Sequence, residues 1–214
     1  MNDAPYLIYV PILHTQGEAR EIIASIGGRG TENEKSCAFS VVEQEKAIRD
    51  MWDGIHAKIQ EVNLTYTSVR IFQDALPVCG REGGIAAKLA EKGSRNHQLI
   101  LELMKKGARL EGTEDPDLLV KEYNYMTQLL EKVSVSHQNY KDALQEYRDK
   151  NMKLMEQRDA FIAARIKNTI KAEETPLVFM SLCHQLEKLL KPHFIIDYLI
   201  YRLPFKTVRD IYNA

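Results

Sequence analysis

Residues 175–184 of the chain are Thr-Pro-Leu-Val-Phe-Met-Ser-Leu-Cys-His. Six of the seven residues from Leu177 to Cys183 are apolar, and the run begins directly after a proline. A short run of this kind is typical of a strand that is buried on both faces inside a parallel sheet. Its carboxyl end presents His184, and open α/β sheets bind their ligands at the carboxyl ends of the strands. The segment therefore predicts a central strand and the edge of the sheet at which a site lies.

Four further segments are typical of strands in the same sheet. The first is rich in β-branched and aromatic residues, which favour strands, and it also ends at a histidine, His14. The five predicted strands lie near residues 6–13, 69–76, 108–111, 176–183 and 194–201. Because helical patterns separate them, we expect one α/β domain over residues 1–214, with three layers and a mixed, mostly parallel sheet.

A long helical pattern separates the third predicted strand from the fourth. Apolar residues recur in it at steps of three, four and seven, which predicts a long helical hairpin inserted at about residues 118–170. The apolar seam is longer than a small sheet can cover. We therefore expect the exposed part of the hairpin to mediate self-association into a homo-oligomer.

Composition excludes several classes of protein. The chain has 214 residues and a formal net charge of −1, which argues against a nucleic-acid binder held by phosphate contacts. Its three cysteines are far apart, so neither a disulfide framework nor a structural zinc site is indicated. No signal-peptide pattern and no apolar run of membrane-spanning length is present, so we expect no membrane partner and a cytoplasmic location.

Three acidic residues near the predicted strand ends are candidates for chemistry. Asp74 lies near the end of the second apolar strand, where an aspartate is either catalytic or a turn former. Glu111 and Glu114 lie in an acidic turn after the predicted strand at 108–111. Such carboxylates bind a metal ion or act as acid and base, and acidic residues also favour the start of the next helix. The sequence leaves both interpretations open.

Three segments together carry a resemblance to a known family. Val10–Thr15 contains His14, Phe179–His184 contains His184, and the helix before the second strand reads Arg-Asp-Ala-Phe-Ile-Ala-Ala-Arg-Ile over Arg158–Ile166. This pattern resembles the erythromycin esterase/ChaN-like superfamily, which includes the TraB and Tiki proteins. TraB-like members have Gly-x-x-His where this chain has Pro11 and Ser181 in place of the glycines. The resemblance implies an α/β fold with a site between the two histidine motifs.

The favoured hypothesis is a hydrolase of the esterase or metallopeptidase type, acting on a small-molecule or peptide substrate. His14 and His184 would face each other at the sheet edge, with Asp74, Glu111 or Glu114, and Arg158 nearby. Two imidazoles and a carboxylate, foremost Glu114, can hold a divalent metal ion with an open position. Without metal, one histidine can act as general base while Arg158 stabilises an oxyanion.

Two alternatives stay open at this point. The chain can be a non-catalytic regulatory or ligand-binding protein that holds haem, another tetrapyrrole or a small ligand through one of the two histidines. The histidines can also be purely structural, buried and hydrogen-bonded to the backbone.

Overall fold

A computed structural model describes residues 4–12, 38–135 and 140–201, and within them five strands form one sheet. The strands are β1 (Tyr6–Ile12), β2 (Val69–Gln73), β3 (Arg109–Glu111), β4 (Thr175–Ser181) and β5 (Ile195–Tyr198). Their order across the sheet is β3-β2-β4-β1-β5, and every neighbouring pair is parallel. The α/β class and the predicted strands are confirmed, and the sheet is wholly parallel rather than mixed.

Helices connect the strands and cover both faces of the sheet. They are α1 (Ala38–Glu61), α2 (Glu82–Glu91), α3 (Arg95–Lys105), α4 (Pro116–Val135), α5 (Tyr140–Thr169) and α6 (Glu187–Leu190), with a short 3₁₀ turn (Tyr66–Ser68) before β2. In the part of the chain that the structure describes, no helix combines the length and the apolar character needed to cross a membrane.

The central strand β4 shows why three layers form. Successive side chains of a strand point to opposite faces. Leu177 and Phe179 accordingly pack in the core beneath α1 and α3, whereas Val178 and Met180 pack in the core beneath α5 and α6. All four are fully buried, so β4 is apolar on both faces, as its sequence predicts.

The predicted helical hairpin is confirmed as α4 and α5, which pack against each other. Glu122 of α4 pairs with Arg158 of α5, and further along α4 Tyr125 lies under the ammonium group of Lys150. Because the partner number falls as the number on α4 rises, the helices are antiparallel. Residues 136–139 between them lie outside the described part of the chain.

Gly112 sets the path of the chain after β3. A Cβ atom added to it would lie 2.7 Å from the Val78 Cα and 2.9 Å from the Pro77 carbonyl oxygen. Both neighbours are backbone atoms, which cannot rotate away. A glycine is therefore required where the segment that carries Glu114 runs beside the segment after β2.

We expect Gly112→Ala to lower the free energy of unfolding by about 1–3 kcal/mol, because the added methyl group overpacks two backbone segments. The matched control is Gly84→Ala in α2, where an added Cβ has nothing within 4 Å. There alanine should stabilise the helix by about 0.5–1 kcal/mol. Urea unfolding measures both changes, and equal effects of the two substitutions would contradict the close approach at Gly112.

Candidate functional site

Three strand ends bring Asp74, Glu114 and His184 together at the carboxyl edge of the sheet. Asp74 directly follows β2, Glu114 lies three residues after β3, and His184 lies three residues after β4. One ligand atom from each side chain lies within 4.8 Å of the other two, and all three residues are buried. Because β3, β2 and β4 are adjacent and parallel, their ends meet at one place, as the sequence pattern predicts.

The backbone fixes the direction of the Asp74 carboxylate. The Asp74 N–H donates to the Phe179 carbonyl oxygen at 2.9 Å, and Asp74 Oδ2 accepts from the Ser181 N–H at 3.0 Å. The next residue, Ala75, has a φ of 60°, a left-handed conformation that is unfavourable for a residue with a side chain. Held in this way, Asp74 Oδ1 lies 3.2 Å from His184 Nε2.

Glu114 is fixed by its backbone and by Arg158. Its N–H donates to the Leu76 carbonyl oxygen at 3.0 Å, and its own carbonyl oxygen accepts from the Val78 N–H at 2.9 Å. Arg158 donates from Nη2 to Oε1 at 2.5 Å and from Nε to Oε2 at 3.1 Å. This two-pronged pairing is the strongest arrangement of the two groups. Burial raises the pKa of Glu114, and the charge of Arg158 opposes that rise.

The Arg158 guanidinium connects the hairpin to the strand ends. Besides Glu114 it donates from Nη1 to Glu122 Oε2 on α4 at 2.6 Å, and Nη2 lies 3.6 Å from Asp74 Oδ1. Burial opposes its charge, but Glu114, Glu122 and Asp74 outweigh that effect and raise the pKa of Arg158 above its usual range. The guanidinium is therefore a permanent positive charge in the cluster, which comprises Arg158, Asp74, Glu114, Glu122, Asp159 and His184.

His184 lies between two carboxylates. Its Nδ1 is 2.6 Å from Asp159 Oδ1, and Asp159 Oδ2 accepts from the Gln185 N–H at 2.8 Å. Its Nε2 faces Asp74 Oδ1 and lies 3.9 Å from Glu114 Oε1. Burial disfavours the charged ring, but the hydrogen bonds to Asp159 and Asp74 outweigh burial and raise the pKa of His184 to about 10. The ring is therefore an imidazolium at neutral pH.

The cluster has an excess of acidic groups. Asp74, Glu114, Glu122 and Asp159 supply carboxylates, and the cationic groups facing them are Arg158 and His184. A buried excess of carboxylates beside an imidazole suits a cation, because the cation would replace the repulsion between the acids with attraction. Asp74, Glu114 and His184 of this cluster thus form a group that could hold a metal ion.

The other predicted residues have different fates. Glu111 does not join the cluster: it pairs with Arg70, and its Oε2 accepts from Arg165 Nη2 at 3.2 Å. Glu111 is still part of β3, in register with Phe72, and Gly112 separates it from the turn that carries Glu114. His14 lies outside the described residues.

Two members of the cluster, Asp159 and Glu122, were not among the predicted site residues. Asp159 stands beside Arg158 in a helical segment, and five of the six residues over 161–166 are apolar. A carboxylate next to an apolar, sheet-facing part of a helix was the signal in the sequence that could have identified Asp159 as a site residue. Glu122 lies one helical turn after the buried Leu119, so its position on the inner side of α4 was the corresponding signal.

Comparison of the chain with family models, with curated proteins and with solved structures found no match. The resemblance to the erythromycin esterase/ChaN-like superfamily therefore stays a prediction.

We expect the metal-free protein to lose stability as the pH rises from about 6.5 toward 10. The groups facing His184 are Asp74, Asp159, Glu114 and Arg158. Burial and the charge of Arg158 lower the pKa of His184, but Asp159 and Asp74 outweigh them and hold its folded pKa at about 10, above the value of 6.5 for a free histidine. The stabilisation is complete below pH 6.5 and is lost as the pH rises through the folded pKa. The slope should approach about 1.4 kcal/mol per pH unit.

Urea unfolding at several pH values measures this slope, and His184→Gln should remove it. The control is His193→Gln, which changes an exposed histidine and should keep the slope. If the wild-type protein and the His184→Gln variant share one pH profile, the histidine does not gain a proton on folding.

Proposed function

We propose that the chain is a metal-dependent hydrolase in which Asp74, Glu114 and His184 hold a divalent ion. The observation that supports this most directly is the convergence of their ligand atoms within 4.8 Å in a buried setting. One imidazole and two carboxylates form a donor set that catalytic ions accept while keeping a position for water. When bound, such an ion lowers the pKa of its water toward 7 and so supplies a nucleophile at neutral pH.

Asp159 would orient His184 toward the ion. A metal-binding histidine usually donates the N–H of its second ring nitrogen to a carboxylate, a backbone carbonyl or water, and this hydrogen bond fixes the ring and raises its basicity. Asp159 has this position at Nδ1, and Nε2 is the nitrogen that faces Asp74 and Glu114. The imidazole must release the Nε2 proton to become a ligand, so metal binding should be coupled to proton release.

Arg158 would stabilise negative charge that develops on the substrate. Its charge is permanent, and its Nη2 lies 3.5 Å from His184 Nε2, the ring nitrogen that would hold the ion. A fixed cation in a buried site stabilises an oxyanion more strongly than a cation in water does. Ester or peptide hydrolysis, as the resemblance implies, passes through such an oxyanion.

A second candidate is a non-catalytic protein whose cluster is a structural ion network. The two-pronged pairing of Arg158 with Glu114 supports it, because this pair joins the hairpin to the sheet without any ligand. The haem alternative draws no support from the described residues, since both ring nitrogens of His184 face carboxylates.

Metal titration separates the two candidates. Calorimetry measures the binding. We expect the metal-free protein to bind one equivalent of Zn²⁺ or Mn²⁺, with an affinity that increases as the pH rises. His184→Ala should lose this binding, and Asp159→Asn should weaken it about 10- to 100-fold. His193→Ala is the matched control and should bind like the wild type. Wild-type protein that binds neither ion would contradict the proposal and favour the structural network.

Hydrolysis is tested separately on the metal-loaded protein. Chromogenic carboxylic esters and short peptides serve as substrates. Turnover that depends on the ion and disappears in His184→Ala supports a hydrolase. Stoichiometric metal binding without turnover of either class would leave a metal-binding protein and contradict the esterase or peptidase assignment.

We also propose that the hairpin mediates self-association. Met126 on α4 and Met152 on α5 are large apolar side chains exposed on this part of the surface, which supports the proposal. Light scattering should report a dimer or larger species, and Met126→Lys combined with Met152→Lys should return it to a monomer. A wild-type monomer at high micromolar concentration would contradict it.

A cytoplasmic location is part of the same proposal. It is supported by the two cysteines that the described residues include, Cys79 and Cys183, because both are free thiols. Free exposed thiols persist in a reducing compartment.

A further inference from the structure

One corner of the Arg158 guanidinium has a single strong acceptor. The Nε and Nη2 side of the group pairs with Glu114, next to Asp74 and His184. The Nη1 corner donates to Glu122 Oε2 at 2.6 Å and to Met155 Sδ at 3.4 Å. A thioether sulfur is a weak acceptor. Glu122 is therefore the partner that matters at this corner.

Glu122 differs from the other acids that Arg158 faces by its exposure. Its side chain is 32% exposed, whereas the Asp74 side chain is 3% exposed and the Glu114 side chain is fully buried. The Nη1 corner thus points to the side of the cluster that solvent reaches. Solvent can hydrate the Glu122 carboxylate once it leaves Nη1, so a competing anion displaces Glu122 at lower cost than it would displace the buried Glu114.

Tyr147 of α5 is a neutral donor within electrostatic range of this corner. The half-buried phenol lies within electrostatic range of Glu122, Arg158 and Cys183. Burial, followed by the charge of Glu122, raises the pKa of Tyr147, so the hydroxyl keeps its proton. A guanidinium corner and a phenol O–H are donors of the kind that bind an oxyanion.

We propose that Glu122 is an internal stand-in for an oxyanion group of the substrate, which displaces it from Arg158 Nη1 on binding. The group is a carboxylate or a phosphate, so the substrate is an anionic molecule. This inference rests on the proposed function, because it positions the anionic group of the substrate beside the same centre. Glu122 then sets the specificity: it keeps the corner closed to neutral molecules and yields to an anion.

Anion titration of the metal-free protein tests the inference. Sodium phosphate and sodium acetate are titrated into Glu122→Gln at constant ionic strength, with chloride as the balancing ion, and binding is measured by calorimetry. We expect Glu122→Gln to bind one of the two anions at least tenfold more tightly than the wild type. The matched control is Glu156→Gln, which removes the same charge from an exposed position on α5 and should bind like the wild type.

The comparison of the Glu122→Gln and Glu156→Gln variants decides the matter. Equal dissociation constants in Glu122→Gln and Glu156→Gln would overturn the inference. Tighter binding of phosphate by Glu122→Gln supports it and assigns a phosphate group, and tighter binding of acetate supports it and assigns a carboxylate. Adding Tyr147→Phe to Glu122→Gln should reverse part of the gain in anion affinity. If the gain survives in a folded variant that combines Glu122→Gln with Arg158→Lys, the inference is overturned.

The test is independent of the metal. Zn²⁺ titration of the same Glu122→Gln protein reports on the ion, since Glu122 is not one of the proposed ligands. Anion binding without metal binding would contradict the proposed hydrolase alone. Metal binding with no gain in anion affinity would contradict only the stand-in role of Glu122 and would leave the proposed hydrolase in place.

Discussion

The buried ion pair between Arg158 and Glu114 is the interaction on which the arrangement of the sheet edge depends. Glu114 reaches the cluster through a turn that hydrogen-bonds to the segment after β2, and Arg158 reaches it from α5. Removing one partner of a buried pair leaves an uncompensated charge and costs about 3–5 kcal/mol. The pair thus fixes the hairpin against the strand ends while it keeps several acids close together.

The cluster combines an energetic burden with a chemical capacity. Carboxylates in a low-dielectric setting repel one another, and Arg158 and His184 compensate for that repulsion in the protein by itself. The left-handed turn at Ala75 adds local strain next to Asp74. These costs are offset by the apolar cores on both faces of the sheet, which bury residues 176–180 of β4. Strain and buried charge that the fold tolerates at one sheet edge are typical of a functional site.

The sequence predicts the parts of this arrangement that depend on local pattern or on simple topology. The strands follow from apolar runs, the hairpin from helical spacing, and the meeting of Asp74 with His184 from the shared edge of a parallel sheet. The choice between Glu111 and Glu114 does not follow, because it depends on a close backbone approach at Gly112. The role of Asp159 depends on how α5 is rotated about its axis, and one residue changes that direction by about 100°.

The position of β4 has a consequence for the growing polypeptide. β4 lies between β1 and β2 in the sheet but follows both in the chain, and Val69 pairs with Thr175. Until the ribosome has passed Ser181, the nascent chain contains two strands whose shared neighbour does not yet exist. Their open edges can pair with other chains during that interval. Pairing across so many residues also makes folding slow, so this protein should depend on chaperones during synthesis more than a fold with neighbouring partners does.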